Sequence, residues 1–394
     1  MILKETKHQK HANLKRPSTG SFSRNEWSIL GTPCGKIKAL AFRLTAIMSQ
    51  KYSVGYVDAD HKSGDDEANQ GHDKKSAMGW GAKTEYTDKI TFHRFDKKTH
   101  YDIWQYRQEF NGVDMVIVNG NHFNAKAQIV VIDPKKEESL SRKLDRLTDV
   151  HALVVTPEAD GLPQFLKDHL ANWETIPTFK IDDVSGLSAL IEERMKVNRP
   201  KLKGLVLAGG KSQRMGHDKG LIDYHGKPQR NYMADQLSEI CEEVYFSCRE
   251  DQVGELGNAY RCLPDKFIGF GPFGGMMTAF LHDPDAAWMV VACDLPLLDN
   301  TTLEFLKSKR NISKLATAFQ SPVNKFPEPL IAIWEPRSYP ILLQFLAQGY
   351  SCPRKVLINS EIELVEAENA NALKNINNPE QHDEIMDILG KHFT

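Results

Sequence analysis

The sequence predicts an α/β protein of two domains, and three observations carry that expectation. Short β-rich apolar runs alternate with stretches of helical periodicity, and the alternation starts afresh past the middle of the chain. The run that restarts it, KLKGLVLAGG at Lys201–Gly210, is continuous in its apolar residues rather than alternating. A strand apolar on both faces is buried on both, as in a parallel sheet covered by helices. At 394 residues the chain is long for one core, and two domains of roughly 200 residues are the natural expectation.

In the first half, an apolar strand at Trp27–Leu30 runs into a Gly-Pro turn, and a Gly-Lys pair then opens a helix over Lys36–Gln50. Further strands are expected at Val54–Val57, Ile90–His93, Asp114–Val118, Ala127–Ile132 and Ala152–Val155. Further helices are expected at Lys136–Leu147, Leu162–Leu170 and Leu187–Lys196. The stretch DHKSGDDEANQGHDKKSAMGWGAK (Asp60–Lys83) is too polar and Gly-rich for a core and reads as a mobile loop. The segment KVNRPKLK (Lys196–Lys203) is charged, carries a proline and has no apolar face, which marks a domain boundary. The domains are therefore residues 1–198 and 199–394. In the second, strands follow the Lys201–Gly210 run at Val244–Ser247, Tyr260–Leu263, Trp288–Ala292 and Leu315–Phe319. Helices are expected at Arg230–Ile240, Gly274–Leu281, Asn300–Lys307 and Tyr339–Ala347.

Composition excludes several classes. A hydrophobic content of 41% and a charged content of 26% are those of an ordinary soluble globular chain. Lys and Arg number 50 against 52 Asp and Glu, so no global field draws the chain to nucleic acid. The first 26 residues are locally basic, with six Lys/Arg against two Glu, and read as a solvated tail. The six cysteines form no C-x-x-C pair and lack a histidine at zinc-finger spacing, which fits free thiols in a reducing compartment. The N-terminus has no signal-peptide apolar region and no apolar run reaches membrane-spanning length, so a cytoplasmic protein without membrane partners is expected.

The strongest local signal is GLVLAGGKSQRMGHDKGL. Ligands of open α/β sheets bind at the carboxyl ends of strands, and this strand ends at Leu207. Ala208, Gly209 and Gly210 follow, small enough for backbone N–H groups to close around phosphate oxygens. Arg214 and Lys219 add two cations a few residues on. Such a loop suits a triphosphate, and it is not a Walker loop, because the Gly-Lys-Ser/Thr ending is absent. In VVACDLP an apolar strand delivers Asp294 to the same edge, where a carboxylate can hold Mg²⁺ beside substrate phosphates. The alternative for Asp294 is to cap the next helix.

LAGGKSQRMGHDKGL resembles the signature of the molybdenum cofactor guanylyltransferases, the molybdopterin-guanine dinucleotide biosynthesis protein A family. Four later segments match that family in order: LPDKFIGFGPFGGM, VVACDLPLLD, FPEPLIAIW and NINNPEQ. The resemblance covers about residues 201–394 and implies a Rossmann-like nucleotidyltransferase fold, a three-layer α/β/α arrangement. It implies nucleotide contacts at Leu207, Ala208, Gly209, Gly210, Lys219, Asp265, Gly271, Pro272 and Asp294. Catalytic roles fall to Arg214, Lys219 and Asp294, with Asp294 also the Mg²⁺ ligand. Glu328, Arg354, Lys355 and Asn377 would meet the second substrate. The family's guanine-specific members carry Gly-Pro-Leu where this chain has Gly271-Pro272-Phe273, and they often have Asn where it has Ser247.

The implied reaction joins the terminal phosphate of molybdopterin, or of the molybdenum cofactor, to the α-phosphorus of GTP and releases pyrophosphate. Its nucleophile is already an anion, so positioning and electrostatics carry the chemistry rather than a general base. Molybdoenzymes or other cofactor-biosynthesis proteins are implied as further partners. The alternatives are a cytidylyltransferase or sugar-phosphate nucleotidyltransferase of the same fold, and a non-catalytic molybdopterin carrier or scaffold. The first half more faintly resembles the P-loop GTP-binding protein of the same pathway, the protein B family, through ILGTPCGKIKAL, YSVGYVDADH and VDMVIVNGNHF. As a Walker loop it is degenerate: Gly31 to Gly35 is one residue short, Ile37 stands where the metal-binding hydroxyl belongs, and Asn119 replaces an acidic residue. Lys36 and the helix start could still hold an anion, and the competing reading of residues 1–198 is a degenerate P-loop-like α/β domain that docks partners or shapes the pterin site.

Overall fold

The computed structural model describes residues 25–59, 76–99, 105–209, 219–256, 260–376, 385–386 and 390. The chain divides into two compact units, the first ending at Leu190 and the second continuing from Ile191. The division falls inside the helix Val184–Val197, just ahead of the charged segment read as the boundary.

The first unit is built on strands β1 (Asn25–Leu30), β2 (Val54–Val57), β5 (Met115–Asn119), β6 (Ala127–Ile132), β7 (Val150–Val155) and β8 (Thr178–Lys180). They form one sheet in the order β2-β5-β1-β6-β7-β8 with every pairing parallel. All five residues of β5 are buried, as a strand covered on both faces must be. The helix Cys34–Met48 buries Ile37, Leu40, Ala41, Leu44 and Met48, a stripe at helical spacing.

Two expectations for this unit are corrected. Ile90–His93 is not a strand: β3 (Thr84–Asp88) and β4 (His93–Lys97) pair as an antiparallel hairpin, with Ile90 in the turn at φ 74° and 97% exposed. The Asp88 carboxylate accepts the Ile90 N–H, a local bond that stabilises the turn. The helix expected over Lys136–Leu147 is broken into Glu137–Ser141 and two 3₁₀ turns, Pro134–Lys136 and Leu144–Arg146. Of the segment read as a mobile loop, residues 60–75 lie outside the described residues, whereas Ala77–Trp80 forms a 3₁₀ turn capped by Ser76.

The second unit carries a seven-stranded sheet: β9 (Leu202–Leu207), β10 (Glu243–Cys248), β11 (Arg261–Pro264), β12 (Ala287–Ala292), β13 (Ala316–Gln320), β14 (Pro327–Trp334) and β15 (Glu363–Val365). Their order is β11-β10-β9-β12-β14-β13-β15. The sheet is mixed rather than all parallel, because β14 runs antiparallel to both β12 and β13. Side chains alternate between faces. Val206 packs with Met233 and Leu237 of the helix Gln229–Ile240 and with Leu303 of the helix Asn300–Ser308. Leu205 packs on the other face with Phe273 and Met276 of the helix Pro272–His282 and with Leu342 of the helix Ser338–Ala347. The result is the three-layer α/β/α arrangement. All six cysteines are free. Among the described residues no helix is long and apolar enough to cross a membrane.

Candidate active site

Strand direction assembles the site. β9, β10, β11 and β12 run parallel, so their carboxyl ends share one edge, the side on which open α/β sheets bind ligands. Antiparallel β14 enters from that same edge: Val291 of β12 pairs with Ile331, which sets Leu330 opposite the last residue, Ala292, and leaves Glu328 and Pro329 projecting past the end of β12. The reversal therefore brings the start of one strand, with Glu328, alongside the ends of the others, with Ser247, Asp265 and Asp294.

At the head of β9, the Ala208 N–H donates to the Ser247 carbonyl at 2.9 Å. A Cβ at Gly209 would stand 3.5 Å from Asp265 Oδ2, so the start of the phosphate loop abuts that carboxylate. Arg249 Nη1 donates to the Gly209 carbonyl at 3.2 Å. Asp265 follows β11; its N–H bonds the Cys248 carbonyl, and its Oδ1 accepts the Ser247 hydroxyl at 2.8 Å. Burial pushes the Asp265 carboxyl above the usual carboxylate range, and the Ser247 hydroxyl opposes that shift in part.

Gly271, at φ 55° and ψ −135°, precedes the helix that Pro272 opens, a backbone conformation that favours glycine. The next two glycines pack against protein: a Cβ would meet the Phe267 carbonyl at Gly274 and the Ser247 hydroxyl at Gly275, each at 2.2 Å. Gly210, Arg214 and Asn377 lie outside the described residues, and for Lys219 only the backbone, in the 3₁₀ turn Lys219–Leu221, is described.

Farther along the edge, Asp294, Glu328, Arg354, Ser321, Asn324 and Lys374 help line a cleft of 510 Å³. Arg354, in the first turn of the helix Pro353–Ile358, donates to Glu328 Oε2 at 2.7 Å and to the Pro327 carbonyl at 3.2 Å. Lys355 is exposed and turns aside to lie 5.5 Å from the centre of the Tyr350 ring. Asp294 is not the cap of the following helix. That role belongs to Asp299, whose carboxylate accepts the Thr302 N–H at 2.8 Å. The Asp294 carbonyl accepts the Ile376 N–H at 3.0 Å, tying the closing segment to this turn. Tyr224 is pushed up to about 12, first by burial and then by the charge of Asp294. No group of three or more His, Cys, Asp or Glu among the described residues could hold a metal by protein ligands alone. A single carboxylate at the mouth of a cleft fits Mg²⁺, which takes one or two carboxylates and completes its shell with phosphates and water.

The MobA-like NTP transferase domain family matches residues 204–363. A molybdenum cofactor guanylyltransferase from Pseudomonas putida is 33% identical over 190 residues, which cover 46% of this chain and 96% of that protein. The chain belongs to the molybdenum cofactor guanylyltransferase family. The molybdenum cofactor biosynthesis bifunctional protein of Synechocystis sp. is 35% identical over 192 residues, 48% of this chain, and the match spans only 55% of that protein. Among solved structures, molybdopterin-guanine dinucleotide biosynthesis protein A from Archaeoglobus fulgidus aligns at 24% identity with a TM-score of 0.42, covering 48% of this chain and 99% of that one. A molybdopterin-guanine biosynthesis protein B aligns at 20% identity with a TM-score of 0.29, covering 43% and 99%.

In this member of the guanylyltransferase family, the sequence offers Ser247 only as a departure from the family's Asn and does not single out Arg249 or Lys374. Ser247 lies within β10, Arg249 just after it and Lys374 just before the NINNPEQ segment; what each touches depends on tertiary register. The loop of the first unit is arranged differently from the site in the second. Gly31 has φ +93°, and a Cβ there would meet the Val131 carbonyl at 2.3 Å. The Thr32 hydroxyl donates to Asp133 at 2.6 Å, and the Lys36 ammonium sits 3.1 Å from Asp133 and 3.4 Å from Glu158. Hydrogen bonding to Asp133 foremost holds Lys36 above its ordinary pKa. Ile37, at the position of a Walker hydroxyl, is fully buried in the core. Asn119 donates its amide to Asp58 at 2.7 Å.

Proposed function

We propose that residues 199–394 form a nucleotidyltransferase domain that transfers GMP from GTP to the terminal phosphate of molybdopterin or the molybdenum cofactor, releasing pyrophosphate. The observation that supports this reading is the single edge shared by the Leu207–Gly209 loop start, Asp265, Asp294 and the Glu328–Arg354 pair. In the proposal the backbone from Leu207 to Gly210 cradles the triphosphate, with Asp265, Gly271 and Pro272 on the nucleotide. Lys219 stabilises charge on the transferring phosphoryl and Arg214 steadies the pyrophosphate. Asp294 would hold Mg²⁺, which when bound neutralises charge between the phosphates. Glu328, Arg354 and Asn377 face the pterin phosphate, an anion that the Arg354 guanidinium suits, and Lys355 would have to swing from the Tyr350 ring to join them. Catalysis then consists of bringing two anions together. The choice of GTP rests on the Gly271-Pro272-Phe273 element.

Incubation of the purified chain with molybdopterin, Mg²⁺ and each nucleoside triphosphate in turn tests this. Pyrophosphate release that needs both molybdopterin and GTP, with a guanine dinucleotide product, is expected. A cytidine product would overturn the base assignment, and tight molybdopterin binding without turnover would replace the enzyme by a carrier.

A further inference from the structure

Arg230 is the second residue of the helix Gln229–Ile240 and is 6% exposed. Among the described residues its Nε and Nη1 meet no hydrogen-bond acceptor. Its neighbour Gln229 is fully buried as well; Nε2 donates to the Leu295 carbonyl at 3.2 Å, and Oε1 meets no donor among the described residues. Burying a guanidinium with its donors unpaired is unfavourable.

The helix register locates this charge. Arg230 precedes Met233, Ala234 and Leu237 by three, four and seven residues, so it lies on the stripe that packs on the sheet. Leu237 lies over Gly204 of β9, its Cβ 3.1 Å from where a Cβ at Gly204 would be. The helix crosses over between the parallel strands β9 and β10, so its N-terminus points to the carboxyl edge. Two turns back from Leu237 is about 11 Å along the helix, which matches three to four residues of strand at about 3.3 Å each. Arg230 is therefore level with Leu207 and Ala208, where the phosphate loop begins, while Gln229 holds the residue next to Asp294.

We propose that Arg230 is a phosphate-contacting residue of the nucleotide site, its guanidinium taking an oxygen of a nucleoside triphosphate at the level of Leu207 and Ala208. The planar fork of Arg matches phosphate oxygens, and an anion at this level gives the guanidinium the acceptor it lacks. The proposal rests on the nucleotidyltransferase reading and extends it to a residue outside the loop motif. The competing role is packing alone, with the aliphatic stem filling space under the helix.

The test compares wild type, Arg230→Met and Arg230→Lys for equilibrium binding of GTP and of inorganic tripolyphosphate, and for unfolding temperature without ligand. Arg230→Met should lose about tenfold or more in affinity for both probes, because the contact is to phosphate and not to base. Its ligand-free unfolding temperature should be unchanged or higher, since an unpaired buried charge has been removed. Arg230→Lys should recover part of the affinity. Wild-type affinity for tripolyphosphate in folded Arg230→Met overturns the proposal, and so does a loss confined to GTP. If Arg230→Met does not fold, unchanged affinities in Arg230→Lys overturn it. A wild-type chain that binds neither probe removes the nucleotidyltransferase reading and this assignment with it. A wild type that prefers CTP removes only the choice of base.

Discussion

At Gly275 one added methyl would reach directly into the Ser247–Asp265 contact. A Cβ there stands 2.2 Å from Ser247 Oγ and 3.1 Å from both Ser247 Cβ and Leu207 Cδ2. Gly275→Ala must turn the Ser247 hydroxyl away and so break its 2.8 Å bond to Asp265. Alanine is worth about 1 kcal/mol over glycine within a helix. Against that, losing a hydrogen bond to a carboxylate costs about 1.5–3 kcal/mol and overpacking about 1–3 kcal/mol. Because Asp265 is only half-buried, the low end of each range applies, and the net loss is about 1.5 kcal/mol, or roughly 3–6 °C for a unit of this size. Ser247→Ala removes the clashing atom and the bond together, so Gly275→Ala in that background should cost close to nothing. Urea unfolding of the four proteins completes a double-mutant cycle with a coupling of about 1.5 kcal/mol. Losses that simply add, to within about 0.5 kcal/mol, would refute the claim that this glycine is there to admit the Ser247–Asp265 pair.

Three further outcomes follow from the ionic contacts. The folded pKa of Asp265 lies above its unfolded value, so the stability linked to its protonation is present below the usual carboxylate range and is lost as pH rises through the folded value. Asp265→Asn should therefore unfold at higher urea than wild type at pH 7 but not in acid; a less stable Asn variant at pH 7 contradicts the shift. Glu243 is held down to about 2, mainly by Lys203, which sits 2.8 Å from it and 2.7 Å from Asp283. That contribution is present above the unfolded carboxylate value and is lost as pH falls through about 2. Lys203→Met should cost about 2 kcal/mol near pH 7, with the penalty shrinking steadily in acid; a pH-independent penalty would assign the loss to packing instead. In the first unit, Lys36→Met should lower stability by about 1–3 kcal/mol through the buried Asp133. It should leave GTP turnover untouched, and equilibrium dialysis should find one GTP per chain with or without it. A second GTP abolished by Lys36→Met would show that the loop still takes nucleotide.

How far the sequence reveals this depends on the distance over which each feature is encoded. The strand ends carrying Leu207, Asp265 and Asp294 are local: an apolar run, then small residues or a carboxylate, and the structure brings these to one edge. Ile90 misled because one exposed isoleucine among β-formers looks like part of a strand, whereas the hairpin is determined by the Asp88 bond across the turn. The antiparallel entry of β14 is invisible in an apolar run, yet it alone brings Glu328 past the end of β12 and within reach of Arg354. Arg230 shows the same limit from the other side. A single Arg at the start of a helix reads as surface charge. Only the stripe it shares with Met233 and Leu237 shows that it is buried.

The two loops of this chain begin alike and diverge for a reason that neither loop contains. At Lys36 the sequence shows a glycine turn, a lysine and a helix start, all of which favour an anion. The carboxylates that meet the lysine, Asp133 and Glu158, follow β6 and β7, and parallel pairing brings those strand ends to the same edge as the loop. An incoming phosphate would have to displace two carboxylates from one ammonium, and with Ile37 in the core no hydroxyl stands ready for a metal. At the level of Ala208 the balance is reversed. The cation there is Arg230, with two of its donors unmatched by any acceptor among the described residues. What separates the two edges is the state of one cation each, rather than the glycines: Lys36 is met by two carboxylates, and Arg230 keeps two donors without an acceptor among the described residues.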